Sequence, residues 1–167
     1  MRYQGQTDIP LNAEGYRQAE IARDILKHLS ISAIHTSSLS RATQTSDIIN
    51  TELCVKLTTS DDLRECFYGT LEGQPKIDPD IDYKWRNGTT PKGAESYKDF
   101  SARIISALNT ILKEDGPILI VAHRAVFWPI ADVTGLNANE DIANACPIYL
   151  EPPVIKNASW RLSEINS

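Results

Sequence analysis

Apolar residues recur at helical spacing in several stretches, with short apolar runs between them. Ala19, Ala22, Ile25, Leu26 and Leu29 predict a first helix that opens at Asn12, a good capping residue, carries Glu14 in its first turn and ends near His28 or Leu29. Residues 32–36 read as a short strand. A second helix runs from Ser40 to about Asn50 with Ala42, Thr45, Ile48 and Ile49 on one side, and residues 55–58 read as a second strand. The clearest helix runs from Ser96 to about Lys113. Ser96 and Asp99 have the form of a capping box, and Phe100, Ile104, Leu108, Ile111 and Leu112 make one apolar stripe. The run 118–122 suits a buried strand. A helix over 126–134 follows, with Pro129 in its first turn and Gly135 as its stop, and then late strands over 146–150 and 160–165. No segment repeats. Helices alternating with short strands predict an α/β fold, a mostly parallel sheet with helices on both faces and ligands at the carboxyl ends of the strands.

Between residues 61 and 93 the periodicity breaks down under Gly69, Gly73, Pro75, Pro79, Gly88, Pro91 and Gly93. Loops of this length are usually functional or partly helical. The flanking halves lack separate cores, so the segment reads as an active-site cover within one domain spanning 1–167. Tyr83, Lys84, Trp85 and Arg86 either cover a pocket or merely pack.

Composition narrows the classes. The chain has 167 residues, 41% hydrophobic and 23% charged, as in ordinary globular proteins. No apolar run approaches a membrane span. Seventeen Lys and Arg against 22 Asp and Glu give a net charge of −5, which argues against general nucleic-acid binding but not against a local anion pocket. Three scattered cysteines and a polar start without a targeting segment predict a reduced, cytoplasmic protein.

Three places set polar residues just past a strand or at a helix start. Arg41 lies where a helix opens, in Thr36-Ser37-Ser38-Leu39-Ser40-Arg41, so that the free N–H groups there and its guanidinium favour an anion; the plain alternative is an exposed Arg among Ser and Thr caps. Glu65 lies in a Gly-rich stretch after a strand, where it is either a proton donor to a leaving oxygen or a surface carboxylate. His123, followed by Arg124, ends the buried run at a position where α/β ligands bind; a hydrogen-bonded structural role is the alternative.

Taken together these segments resemble the histidine phosphatase superfamily, which includes the cofactor-dependent phosphoglycerate mutases. The resemblance covers nearly the whole chain: residues 2–15 with Gln18-Ala19, then 38–45, then Leu63-Arg64-Glu65 with Gly69 and Leu71-Glu72-Gly73, then Gly93-Ala94-Glu95-Ser96 with Phe100 and Arg103, then Val121-Ala122-His123. It implies phosphoryl transfer to a histidine, followed by hydrolysis or onward transfer. Arg41 would clamp phosphate; Arg124 is a second candidate anion contact by its place beside His123, not by the resemblance. His123 would contact the phosphoryl oxygens. Glu65 would be the general acid and then the base for water. Tyr3, Gln4 and Gly5 fall where the family contacts substrate. No metal or other cofactor is implied, and the partner would be phosphate or a small phosphorylated metabolite. Segment 67–91 looks short for the capping insert of a dedicated mutase, which favours a phosphatase.

Two departures stand out. The family's first motif is an Arg-His-Gly at the end of its first strand, with the His as nucleophile, and no such triplet occurs in the 167 residues. Neither His28 nor His35 is an easy substitute. One expectation is that Met1 is an internal methionine and the full product carries the motif upstream. Another is a pseudoenzyme that binds phosphorylated ligands without turnover, and a third is a non-functional remnant. A missing interior strand would leave neighbouring backbone groups unpaired, lowering stability or favouring rearrangement or a homodimer. The second departure is Arg124, where the family usually has glycine; it either crowds the pocket or replaces lost positive charge.

Overall fold

The computed structural model describes residues 2–138, 142–154 and 159–165. In chain order the elements are α1 (Ala13–Leu26), β1 (Ala33–Ser37), α2 (Ser40–Leu53), β2 (Lys56–Ser60), α3 (Ile81–Arg86), α4 (Tyr97–Ile111), β3 (Ile118–Val121), α5 (Phe127–Thr134), β4 (Ile148–Glu151) and β5 (Arg161–Glu164). Asn12 caps α1 by accepting from the Gly15 N–H. Ser96 caps α4 by accepting from the Asp99 N–H, and its hydroxyl donates to the Asp99 carboxylate. Gly135 ends α5 at a φ of 74°, in the left-handed region that favours glycine. The expected boundaries move by up to three residues: α1 stops at Leu26, α2 continues to Leu53, β1, β2 and β4 sit one or two positions later than the apolar pattern alone places them, and β3 and β5 are shorter than expected.

The sheet is parallel, ordered β2-β1-β3, with β4 and β5 as a separate antiparallel pair. β1 is central and every one of its residues is buried. Strand alternation sends Ile34, Leu119 and Val121 to one face, where they pack with Ala22 and Leu26 of α1 and Ile49 of α2. Ile118 and Ile120 point to the other face, against Ala107 and Ile111 of α4. Helices therefore cover both faces, and the site-bearing loops emerge at the carboxyl ends of β1, β2 and β3. Among the described residues β3 is paired with β1 along one edge only, and its four apolar residues are half-buried.

The irregular segment contains single helical turns at Asp61–Leu63 and Gly69–Leu71, and then α3. Trp85 of α3 is 1% exposed, set among Tyr97, Phe100 and Trp128, and its indole N–H donates to the Glu95 carbonyl. Lys84 pairs with Asp78, Arg86 pairs with Asp132, and Tyr83 is exposed. Trp85 thus packs rather than covers a pocket, and the two cations are held by neighbouring carboxylates.

Truncating Trp85 empties the centre of this aromatic cluster. Trp85→Ala should cost about 3–5 kcal/mol of stability, whereas Tyr83→Ala should stay within about 0.5 kcal/mol. The comparison of urea-denaturation midpoints at a common slope checks both.

Candidate active site

His123 follows β3 by two residues, and Ser37 is the last residue of the adjacent β1. Their proximity in the sheet brings His123 Nε2 to 2.8 Å from Ser37 Oγ. Glu65 comes from the loop after β2. Its carboxylate accepts from its neighbour's N–H at Cys66 (2.9 Å) and from the Ala125 N–H (3.4 Å), two residues past His123. The loop carrying Glu65 is thereby tied to the turn carrying His123. Arg41, in the first turn of α2, reaches across to donate to the carbonyls of Gly5 (2.8 Å) and Thr7 (3.2 Å).

These groups act on one another's charge. Burial pushes the Glu65 carboxyl above the usual glutamate range, against the opposing pull of the Cys66 and Ala125 N–H groups and of Arg41. Burial likewise pushes His123 down to about 3, and the positive charges of Arg41 and Arg103 add to that effect. The site therefore holds a neutral imidazole beside a carboxyl that is reluctant to ionise. Arg41 itself is lowered by burial, with Glu65, Asp8 and Glu72 opposing.

Two residues that the sequence singles out only within longer segments hold the arrangement in place. Arg103 of α4 makes a bidentate pair with Glu95 (3.0 and 2.8 Å) and donates to the carbonyls of Asp62 (2.9 Å), Arg64 (3.0 Å) and Glu65 (3.5 Å). Glu72 accepts from the Gln6 N–H (2.8 Å), the Thr7 hydroxyl and the Tyr68 N–H (3.3 Å). Gly5 is needed beneath that carboxylate. Its φ is 53°, and a Cβ there would meet Glu72 Oε1 at 2.2 Å.

The start of α2 departs from the anion site expected there. Asp8 occupies it, accepting from the Ser40 N–H and hydroxyl, both at 2.7 Å, and these bonds hold its carboxyl below the usual range. A carboxylate from a segment 32 residues upstream has taken the helix N-terminus, which leaves the guanidinium of Arg41 as the anion-attracting group of that segment. Tyr3 is buried and packs at a tilt against Tyr68, 5.2 Å between centroids, with the Lys76 ammonium 5.0 Å from its ring. It also lines a groove of about 490 Å³ with Leu71, Pro75, Ile77 and Ile81. Gln4 is exposed, and Gly5 is buried with its carbonyl on Arg41. Arg124 is exposed and opens the helical turn that precedes α5. His28 lies just past α1. The His35 ring sits 3.1 Å from Glu114, beyond the end of α4 and on the face that α4 covers.

The depressed His123 has a consequence for stability. Unfolding lets it take a proton below its ordinary value near 6.5, while the folded state resists protonation down to about 3. Its contribution is fully present above about pH 6.5 and is lost as pH falls through that window. The thermal midpoint of the wild type should therefore fall more steeply between pH 7.5 and pH 5 than that of His123→Asn. Glu65 has the opposite sign. Its folded value is raised, so its contribution fades as pH rises above the unfolded glutamate range. Glu65→Gln should raise the thermal midpoint at pH 7.5 relative to its effect at pH 4, by differential scanning calorimetry at both values.

Comparison with known proteins shows the family of the chain. The family model described as histidine phosphatase superfamily (branch 1) matches residues 1–147. A Bacillus subtilis protein described as uncharacterized phosphatase PhoE is 32% identical over 174 residues, covering 98% of this chain and 84% of the relative. A Yersinia enterocolitica protein described as probable phosphoglycerate mutase GpmB is 37% identical over 146 residues, covering 80% of this chain and 67% of the relative. Among solved structures, a mycobacterial glucosyl-3-phosphoglycerate phosphatase in complex with inorganic phosphate superposes with a TM-score of 0.79 at 25% identity, over 99% of this chain and 91% of that one. On the family match and on these relatives, the chain belongs to the histidine phosphatase superfamily, branch 1.

Proposed function

We propose that this domain, spanning 1–167, serves phosphomonoester hydrolysis through a phosphohistidine. Arg41 attracts the phosphoryl group, His123 contacts its oxygens and Glu65 handles the proton. The observation that carries this reading is the Glu65 carboxylate bonded to the Ala125 N–H, which sets a carboxyl with a raised proton affinity beside His123 at the end of the sheet. In the first step, as the resemblance implies it, a P–N bond would form to a nucleophilic imidazole that none of the three histidines here supplies, as the ester P–O bond breaks and Glu65 gives its proton to the leaving alkoxide. In the second step Glu65 takes a proton from water, whose oxygen bonds phosphorus as the P–N bond breaks and inorganic phosphate leaves. Arg41 and a neutral, hydrogen-bond-donating His123 stabilise the oxygens in both steps. Arg124 stands next to His123 as a further anion contact, and Gln4 and Gly5 line the approach beside Arg41.

The nucleophile is assigned to none of the three histidines. His123 is taken up by Ser37, the His35 ring lies beside Glu114, and His28 lies at the end of α1. By this reading the 167 residues alone bind phosphate or a small phosphorylated metabolite with little or no turnover, because losing the covalent nucleophile costs many orders of magnitude in rate. The short 67–91 segment, closed inward by Trp85, favours a phosphatase over a mutase. Among the described residues no helix is long and apolar enough to cross a membrane, and we place the protein in the cytoplasm.

Two measurements test the reading. Calorimetry should show phosphate binding to the wild type that weakens at least tenfold in Arg41→Ala, a loss of about 1.4 kcal/mol or more. Undetectable binding at millimolar phosphate would reject the anion pocket. Hydrolysis of p-nitrophenyl phosphate should stay near background. Substantial turnover abolished in His123→Ala would instead make His123 the nucleophile.

A further inference from the structure

Ser37 has no place in the chemistry above, yet it is fully buried at the end of the central strand with its hydroxyl 2.8 Å from His123 Nε2. We propose that Ser37 is a positioning residue that fixes the tautomer of His123, donating its hydroxyl hydrogen to Nε2 and so keeping the imidazole proton on Nδ1.

The argument is an accounting of hydrogens. The Leu39 N–H donates to Ser37 Oγ at 3.3 Å, so one lone pair of that oxygen is already used. The hydroxyl has a single hydrogen to give. Among the hydrogen bonds of the described residues, His123 Nε2 is the acceptor within its reach. If Nε2 carried the proton, Oγ would accept from both sides, and its own hydrogen would be left without a partner at a position closed to water. Donation from Ser37 to Nε2 gives the Leu39 N–H, the Ser37 hydroxyl and His123 Nε2 each a partner. Burial and the two nearby guanidinium groups keep the ring neutral, so it carries one proton, and that proton belongs on Nδ1.

The backbone makes the arrangement rigid. Ser37 is the end of β1, and β1 is hydrogen-bonded on both sides, in register Ser37 with Ser60 and Thr36 with Val121. The turn after β3 then presents His123 to it. The tautomer is thus set by sheet register rather than by a flexible side chain. Its value for the site rests on the anion-pocket reading: a protonated Nδ1 donates to a phosphoryl oxygen, whereas a lone pair there would repel one.

The test is ¹⁵N-detected NMR of the histidine side chains at neutral pH, with the His123 resonances assigned by their loss in His123→Asn. The expected result is an unprotonated Nε2 and a protonated Nδ1. Ser37→Ala should move the equilibrium toward the Nε2–H form, and Ser37→Thr, which keeps the hydroxyl, should restore the wild-type pattern. Phosphate binding should weaken about tenfold in Ser37→Ala and recover in Ser37→Thr. A proton on Nε2 in the wild type overturns the proposal, as does a spectrum unchanged in Ser37→Ala. If Ser37→Ala fails to fold, the wild-type spectrum alone decides. Nδ1 protonation without any phosphate binding would reject the anion pocket while leaving the tautomer assignment standing.

Discussion

The guanidinium of Arg103 is the joint on which the site hangs. It leaves α4 at the sheet face that the helix covers, grips Glu95 with two parallel bonds and spends its remaining reach on the carbonyls of Asp62, Arg64 and Glu65. Both members of the pair are only 18% exposed, so neither can exchange its partner for water freely. A loop that carries a carboxyl into a low-dielectric site must have its backbone carbonyls satisfied, and one planar cation supplies bonds to three of them. Lysine could not serve there, because an ammonium lacks the rigid fork that holds a carboxylate and several carbonyls at once.

A second clamp works from the other side. Glu72 gathers the Gln6 N–H, the Thr7 hydroxyl and the Tyr68 N–H, and Arg41 holds the carbonyls of Gly5 and Thr7. The segment before α1 is thereby fixed against the loop after β2 with few apolar contacts of its own. Tyr3 is the exception, sunk between Tyr68 and the Lys76 ammonium. The charges alternate through the site: Asp8, Glu65, Glu72 and Glu95 against Arg41, Arg64 and Arg103. All four of these carboxylates have specific N–H or guanidinium partners. At Glu65 burial outweighs the N–H bonds it accepts, which raises its proton affinity.

How much of this was readable along the chain depends on the range of the interaction involved. The Ser96–Asp99 cap, the α4 stripe and the buried run before His123 are local patterns, and the structure shows them close to where periodicity places them. The family order of Arg41, Glu65 and His123 also marked the elements that meet. The occupation of the α2 N-terminus by Asp8 was not readable, because the bond spans 32 residues and an exposed Asp before a helix carries no sign of its distant partner. Trp85 gave no better signal. An aromatic between Lys84 and Arg86 reads equally as a cover or as packing, and only the ring of aromatics from α4 and α5 makes it a core residue.

By itself the sequence determined the α/β alternation, the approximate places of the strands and the family to which the motifs belong. All of these rest on spacing within a dozen residues, where side-chain period and capping chemistry are nearly independent of context. Only the tertiary structure decided which carbonyls Arg103 serves, which carboxylate fills the start of α2 and which hydroxyl faces His123. Those depend on strand register and on the order β2-β1-β3, which bring the ends of β1 and β3 side by side although Ser37 and His123 are 86 residues apart. Hydrogen bonds act over about 3 Å, so their partners are settled by where the backbone has been laid, after the hydrophobic pattern has laid it.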